Sequence, residues 1–321
     1  MRIKLHIAGF LVLSLALIAP ATLFAAEKFP DRAVNLTVNF GGGGGTDISA
    51  RILSKAAEKY LGVPVSVSNK PGGLGTTGVI DLKEKQPNGY YIGVASYAPL
   101  AIIPHQMKVP YTPADFDYIL AYAQYQYGIF VASSSPIKTL DDLVAAAKKK
   151  GSLSYAASGF PQPFAMQRIK ELKGVNFDLM PVKSGSDLNV QLLGGHVDAA
   201  CAIISDVLPL YKSGEVRILG TLTDQRLENT PDVPTCKEQG YDVTLYSYMA
   251  VAAPKGVPAD RLEILRKAYA EAHRDQEFQD VMKKLEIPAV YMSGPEFQKR
   301  VEAGYADARR DLKAMGMLKE E

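Results

Sequence analysis

Apolar and polar positions along this chain switch repeatedly between a two-residue and a 3.6-residue period. Val34, Leu36 and Val38 alternate with Asn35, Thr37 and Asn39, which predicts a strand. After the glycines at 41–45, Ile48, Ile52, Ala56 and Tyr60 recur at helical spacing. Val63–Ser68, Tyr90–Ser96, Ile129–Ser133, Leu153–Ala157, Val197–Ile204 and Val216–Leu222 read as further strands. Helical patterns lie at 78–85, at 140–147 behind Thr139 as cap, at 164–172, and at 187–193 before the stop Gly194–Gly195. The last 60 or so residues are mainly helical: 261–273, 277–285 and 295–315. Strand and helix in alternation, with apolar strands, predict parallel sheets covered by helices.

Five loops that follow predicted strands carry the glycines and hydroxyls: Gly41–Asp47, Asn69–Gly78, Ser96–Pro99, Ser158–Pro163 and Lys183–Asp187. In open α/β sheets, ligands bind beyond the carboxyl ends of the strands, so these loops are expected to share one cleft between two domains. The run Gly41–Gly45, followed by Thr46 and Asp47, is the sharpest signal. Its backbone is open to close approach, and the free amides of the next helix favour an anion. A flexible turn is the competing reading.

The N-terminus changes the picture of where the chain works. Arg2 and Lys4 precede an uncharged stretch to Ala26, the pattern of a secretory signal peptide over residues 1–26. Phe24 makes the cleavage site imperfect, and the length also suits an uncleaved anchor, which Gly9, Ser14 and Pro20 weaken. The chain carries 36 Lys and Arg against 34 Asp and Glu. Beyond the leader the two signs balance, so no basic surface favours nucleic acid. Cys201 and Cys236 suit either a disulfide or two buried thiols.

Catalytic patterns fail. Gly73-Leu74-Gly75-Thr76-Thr77-Gly78 spells a dinucleotide fingerprint, but the acid expected about 20 residues on is missing; Ser96–Ala98 stand there. No phosphate-loop lysine and no nucleophile elbow occur. His105, His196 and His273 lie far apart, without metal-ligand spacing, and no cofactor is expected. Asp47 reads as a helix cap, because an ionised carboxylate aimed at an anion would repel it. The balance is a binder, not an enzyme.

Phe40 to Arg51, Asn69-Lys-Pro-Gly-Gly, Pro87-Asn-Gly-Tyr90, Pro110-Tyr111, Tyr155 to Gly159, Leu192 to Asp198, Pro209 to Gly214 and Pro231 to Thr235 follow one another in a specific order. That ordered set resembles the tripartite tricarboxylate transporter solute receptors, the Bug or TctC-like family. The resemblance covers essentially the whole chain beyond the leader. It implies an α/β, type II periplasmic-binding-protein fold: two α/β domains with a ligand cleft between them. Domain 1 would be discontinuous, residues 27–127 plus 245–321, and domain 2 residues 128–244. It further implies a periplasmic monomer that takes a small carboxylate, a di- or tricarboxylate of aliphatic or aromatic kind, and hands it to a permease of one large and one small membrane subunit.

Carried onto this chain, the resemblance places ligand contacts at Gly41, Gly42, Gly43, Gly44, Thr46 and Asp47, and at Ser96 and Tyr97. In the second domain it points to Ser158, Gly159, Gln162, Ser184 and Gly185. A frequent family aspartate falls on Ala202, leaving Ser205 and Asp206 to serve. An exported hydrolase using Ser158 or His196, or a ligand-presenting subunit for a sensor, are the alternatives. Tyr97, Tyr122, Tyr125, Tyr127, Tyr246, Tyr248 and Phe160 are candidates for an aromatic lining, against the bland expectation that they pack the core.

Overall fold

The computed structural model describes residues 28–182, 185–314 and 316–319. The predicted leader over residues 1–26 and the predicted contact Ser184 lie outside these. Among the described residues there are two sheets and ten α-helices. β1 (Val34–Val38) leads through the glycine loop into α1 (Gly45–Leu61), then β2 (Val65–Asn69), α2 (Thr76–Lys83), β3 (Tyr91–Val94), α3 (Tyr97–Ala101) and β4 (Phe116–Tyr125). β5 (Tyr127–Ala132), α4 (Leu140–Lys150), β6 (Leu153–Ala157), α5 (Gln162–Lys173), β7 (Phe177–Pro181), α6 (Gly185–Leu193), β8 (Ala199–Ile203), α7 (Ile204–Lys212) and β9 (Val216–Thr221) follow. β10 (Ser247–Pro254), α8 (Ala259–Arg274), α9 (Gln276–Lys284), β11 (Met292–Ser293) and α10 (Gly294–Ala314) complete the chain.

The first sheet runs β11-β4-β10-β3-β1-β2 and the second β7-β6-β8-β5-β9. Alternation predicted β1, and it buries Val34, Leu36 and Val38 completely. Those side chains meet Leu53 and Ala57 of α1 and Leu265 and Tyr269 of α8 in one apolar cluster. The second sheet has its own, built on Ile129, Leu143, Tyr155, Ile169 and Cys201. Thr139 caps α4 as the sequence implies, accepting from Asp142 N–H while Asp142 accepts from Thr139 N–H.

The expectation of parallel sheets is corrected. β1 is parallel to β2 and β3, and β6 is parallel to β7 and β8. β10, however, lies antiparallel between β3 and β4, and β5 lies antiparallel between β8 and β9. A buried apolar run reports burial on both faces; it carries no information on direction. The predicted strand at 197–204 also splits. It ends at Ile203, and α7 starts at Ile204.

Only Gln126 separates β4 in the first sheet from β5 in the second. The chain comes back at Ser247, which pairs with Tyr125 in the register of β10 and β4. Leu245 N–H still donates to Leu222 O of the second sheet side, at 2.9 Å. The two sheets are therefore joined at one place, where the outgoing and returning segments lie side by side. No helix among the described residues is long and apolar enough to cross a membrane.

Candidate functional site

A cavity of about 530 Å³ opens where the parallel strands of both sheets end. Its walls are the segments directly after β1 (Gly41, Gly43, Gly44, Thr46), β3 (Ser96), β6 (Ser158, Gly159, Gln162) and β8 (Ser205, Asp206), with Gly185 at the start of α6. Its floor is the joining region itself: Tyr125, Tyr127 and Ser247. This is the placement that strand polarity favours, because the helices that follow aim their amide ends at the strand termini.

The glycine loop is braced from behind. Asp47 accepts from Gly43 N–H at 2.9 Å, from Arg51 Nε at 2.9 Å and from Asn69 Nδ2 at 2.8 Å. Burial alone would raise its pKa. The bonds from Arg51, Gly43 and Asn69 outweigh that and hold it below the ordinary carboxylate value. Gly43 has φ +82°, a left-handed conformation that suits glycine. Gly44, the N-cap of α1, offers no side chain, and the first intrahelical bond runs from Ile48 N–H to Gly44 O. The amides of Gly45, Thr46 and Asp47 thus have no intrahelical acceptor at the end of a 17-residue helix. Thr46 Oγ1 is hydrogen-bonded to the Tyr125 hydroxyl, tying this helix start to the joining region. Burial pushes the Tyr125 phenol up to about 12, so it stays neutral and able to donate.

The other walls supply polar groups. Ser96 and Gln162 are each only 2% exposed, and Ser96 Oγ and Gln162 Oε1 have no hydrogen-bond partner among the described residues. Buried polar atoms are rarely left unpaired, so these two are suited to a bound polar molecule. Gln162 Nε2 makes a long bond to Ser158 Oγ, 3.5 Å. No Lys, Arg or His lines the cavity among the described residues; Asp206 is its one charged side chain.

Most of the positions that the sequence singles out line this cavity, but not all of them. Gly42 faces Asn69 and Asp47, away from the cavity. Asp47 is not among the lining residues: it lies beneath the loop in the first turn of α1, and its carboxylate bonds Gly43 N–H, Arg51 and Asn69 and caps no helix amide. Tyr97 is misplaced: its side chain lines a second, larger cavity of about 660 Å³, where its hydroxyl packs over Gly304. A residue just after a helix N-cap can point to either side, and sequence alone does not say which. Tyr246 joins Tyr97 there, while Tyr122 and Tyr248 are core residues. Tyr125, Tyr127 and Phe160 do line the strand-end cavity. Sequence reasoning missed Ile103, Ser247, Leu285 and Ile287, which arrive from distant segments. The one local trace is Gly45, where a Cβ would stand 2.9 Å from Ile287 Cδ1.

The larger cavity has a different chemistry. Arg168, Arg300 and Arg310 mix there with Glu171, Asp242 and Asp307, and the wall is α5, the 242–246 segment and α10. His105 bonds Tyr305 O at 2.8 Å and His273 bonds Tyr122 O at 3.1 Å, as structural groups do. His196 is exposed and outside both cavities, so it does not face Ser158. Cys201 and Cys236 are free and buried, and burial pushes the Cys236 thiol up to about 12; the disulfide alternative is set aside.

Comparison with known proteins agrees with this geometry. The family model described as the tripartite tricarboxylate transporter family receptor matches residues 49–317. A protein of the gbd 5' region of Cupriavidus necator is 30% identical over 310 residues, covering 95% of this chain and 94% of that relative. The structure of the periplasmic binding protein BugD is 28% identical with a TM-score of 0.78, over 91% of this chain and 100% of that one. MatC from Rhodopseudomonas palustris, solved with bound malate, shares the fold at 22% identity, with a TM-score of 0.77 over 88% of this chain and 100% of its own. A binding cleft at the strand ends, on a two-sheet scaffold of this kind, accords with that match: the chain belongs to the tripartite tricarboxylate transporter receptor family, whose members are solute-binding receptors.

Proposed function

We propose that this chain is an extracytoplasmic receptor that captures a small carboxylate in the strand-end cavity. It then presents the ligand to a tripartite-type permease of one large and one small membrane subunit. One observation carries the reading: the uncapped amide end of α1 opens onto a cavity with no cationic side chain among its described lining residues. Backbone amides and hydroxyls are then the groups left to hold an anion. Gly41, Gly43, Gly44 and Thr46 grip the carboxylate, and Ser96, Ser158, Gly159, Gln162, Gly185 and Ser205 orient the rest. Residues 1–26 direct export, and the receptor works as a periplasmic monomer.

Calorimetric titration with citrate, succinate, malate, glutamate and terephthalate tests this. At least one acid is expected to bind, and its amide or ester analogues are expected to bind at least tenfold more weakly, one charge-assisted bond being worth about 1.5–3 kcal/mol. Neutral analogues binding as well as the acids would remove the anion site.

Residues 27–127 with 245–321, and residues 128–244, form two lobes hinged at the joining region. A ligand touching both favours the closed arrangement, since differential contact is what shifts a population. Small-angle scattering is expected to give a smaller radius of gyration at saturating ligand. An unchanged radius would mean a preformed cleft.

A further inference from the structure

We infer that the ligand bears a positively charged nitrogen as well as a carboxylate, and that Asp206 receives it. This deepens the carboxylate reading above and rests on it. Asp206 lies in the first turn of α7, directly after β8, in the wall of the cavity. It is the one charged side chain among the described lining residues.

Its carboxylate is unspent. No ion pair or side-chain hydrogen bond engages it among the described residues; Asp206 meets Asn189 only through its backbone oxygen, at 3.0 Å. The structural explanation for an acid at a helix start is capping, yet the N-cap of α7 is Ile203, without a side-chain cap bond. The chain also makes room for the group. A Cβ at Gly185 would stand 2.5 Å from Asp206 Oδ2, so any larger residue there would displace the carboxylate. Burial raises its pKa, and no charged side chain among the described lining residues offsets that.

The cavity is therefore dipolar. The amide end of α1 is its positive pole, and Thr46 there is bonded to Tyr125 of the floor. Asp206 is its negative pole. A dicarboxylate would set its second charge against that carboxylate, with no described lining cation to relieve the repulsion. An amino carboxylate matches both poles. Gln162 Oε1, unpartnered in the same cavity wall, is a further acceptor for N–H.

Three carbon-matched pairs test the inference by calorimetry: succinate with 4-aminobutanoate, glutarate with 5-aminopentanoate, adipate with 6-aminohexanoate. On the unsubstituted chain the amino member of the best-binding pair is expected to bind at least tenfold tighter. In Asp206→Asn that preference is expected to vanish, with the dicarboxylate gaining. Among the described residues Asp206 is engaged only through its backbone oxygen, so no side-chain bond is lost on substitution. The melting temperature of Asp206→Asn is accordingly expected to equal or exceed that of the parent, which separates lost recognition from lost fold. A dicarboxylate binding tighter than its amino partner, or a preference that survives Asp206→Asn, overturns this inference and leaves the carboxylate reading standing. No binding by any of the six acids overturns this inference, while the carboxylate reading is decided by the titration with citrate, malate and terephthalate described above.

Discussion

Gly44→Val is expected to lower carboxylate affinity at least tenfold while moving the melting temperature by no more than about 3 °C. Gly44 has φ −81° and ψ 168°, extended backbone that valine adopts readily. A Cβ there meets only Gly41 O, at 3.9 Å. The fold therefore has no reason to object, beyond the loss of a few tenths to about 1 kcal/mol for a poorer N-cap residue. The cavity does object. Gly44 lines it beside the free amides of α1, and a branched side chain there takes up the space through which an anion reaches them. Losing one charge-assisted bond of about 1.5–3 kcal/mol amounts to tenfold or more. Gly43→Val is the contrasting control, because its φ of +82° adds backbone strain to the block and lowers the melting temperature as well. Titration and thermal melts on both variants decide the matter. Unchanged affinity in Gly44→Val would show that the ligand is held elsewhere.

Gly78→Ala is expected to destabilise the protein by about 2 kcal/mol, a fall of roughly 5 °C in melting temperature. Alanine normally improves a helix interior by up to about 1 kcal/mol over glycine. Here a Cβ would stand 2.7 Å from Asn39 Cα and 3.1 Å from Lys70 O, and backbone yields little. α2 would have to lift off the end of β1, one residue before the glycine loop begins at Phe40–Gly41. The strain should therefore reach the site, and ligand affinity is expected to fall with stability. A melting temperature at or above the parent value would mean that helix and strand part at no cost.

Gly78 also shows what the sequence made legible. The fingerprint around it was set aside for want of its acidic partner, and the structure gives its last glycine a mechanical purpose: close helix–strand packing. The strand–glycine–helix unit at 34–61 was readable because alternation, glycines and helical spacing follow one another without interruption. Strand β4 was not. Its first eight residues are buried, Asp117 included, so no alternation marks it. Asp117 is paid for by partners some 140 residues away, Lys255 Nζ at 2.8 Å and the amides of Gly256 and Val257 at 2.8 and 3.0 Å. The same distance hid Ser247 and Ile287 from the site. Local pattern reports the loops that line a cavity; it does not report which remote segment closes it.

The insertion of β10 between β3 and β4 has a consequence for how the molecule is made. Emerging from the ribosome, the chain completes all five strands of the second sheet by Thr221, within one contiguous stretch. The first sheet at that moment still has a gap at its centre. β3 and β4 each keep a bare hydrogen-bonding edge until residues 247–254 arrive more than 120 residues after β4. Pairing of such sequence separation forms slowly, and unpaired edges invite association with other chains. A polypeptide cut short before Ser247 would thus finish one half of the molecule and leave the other as an open template for aggregation.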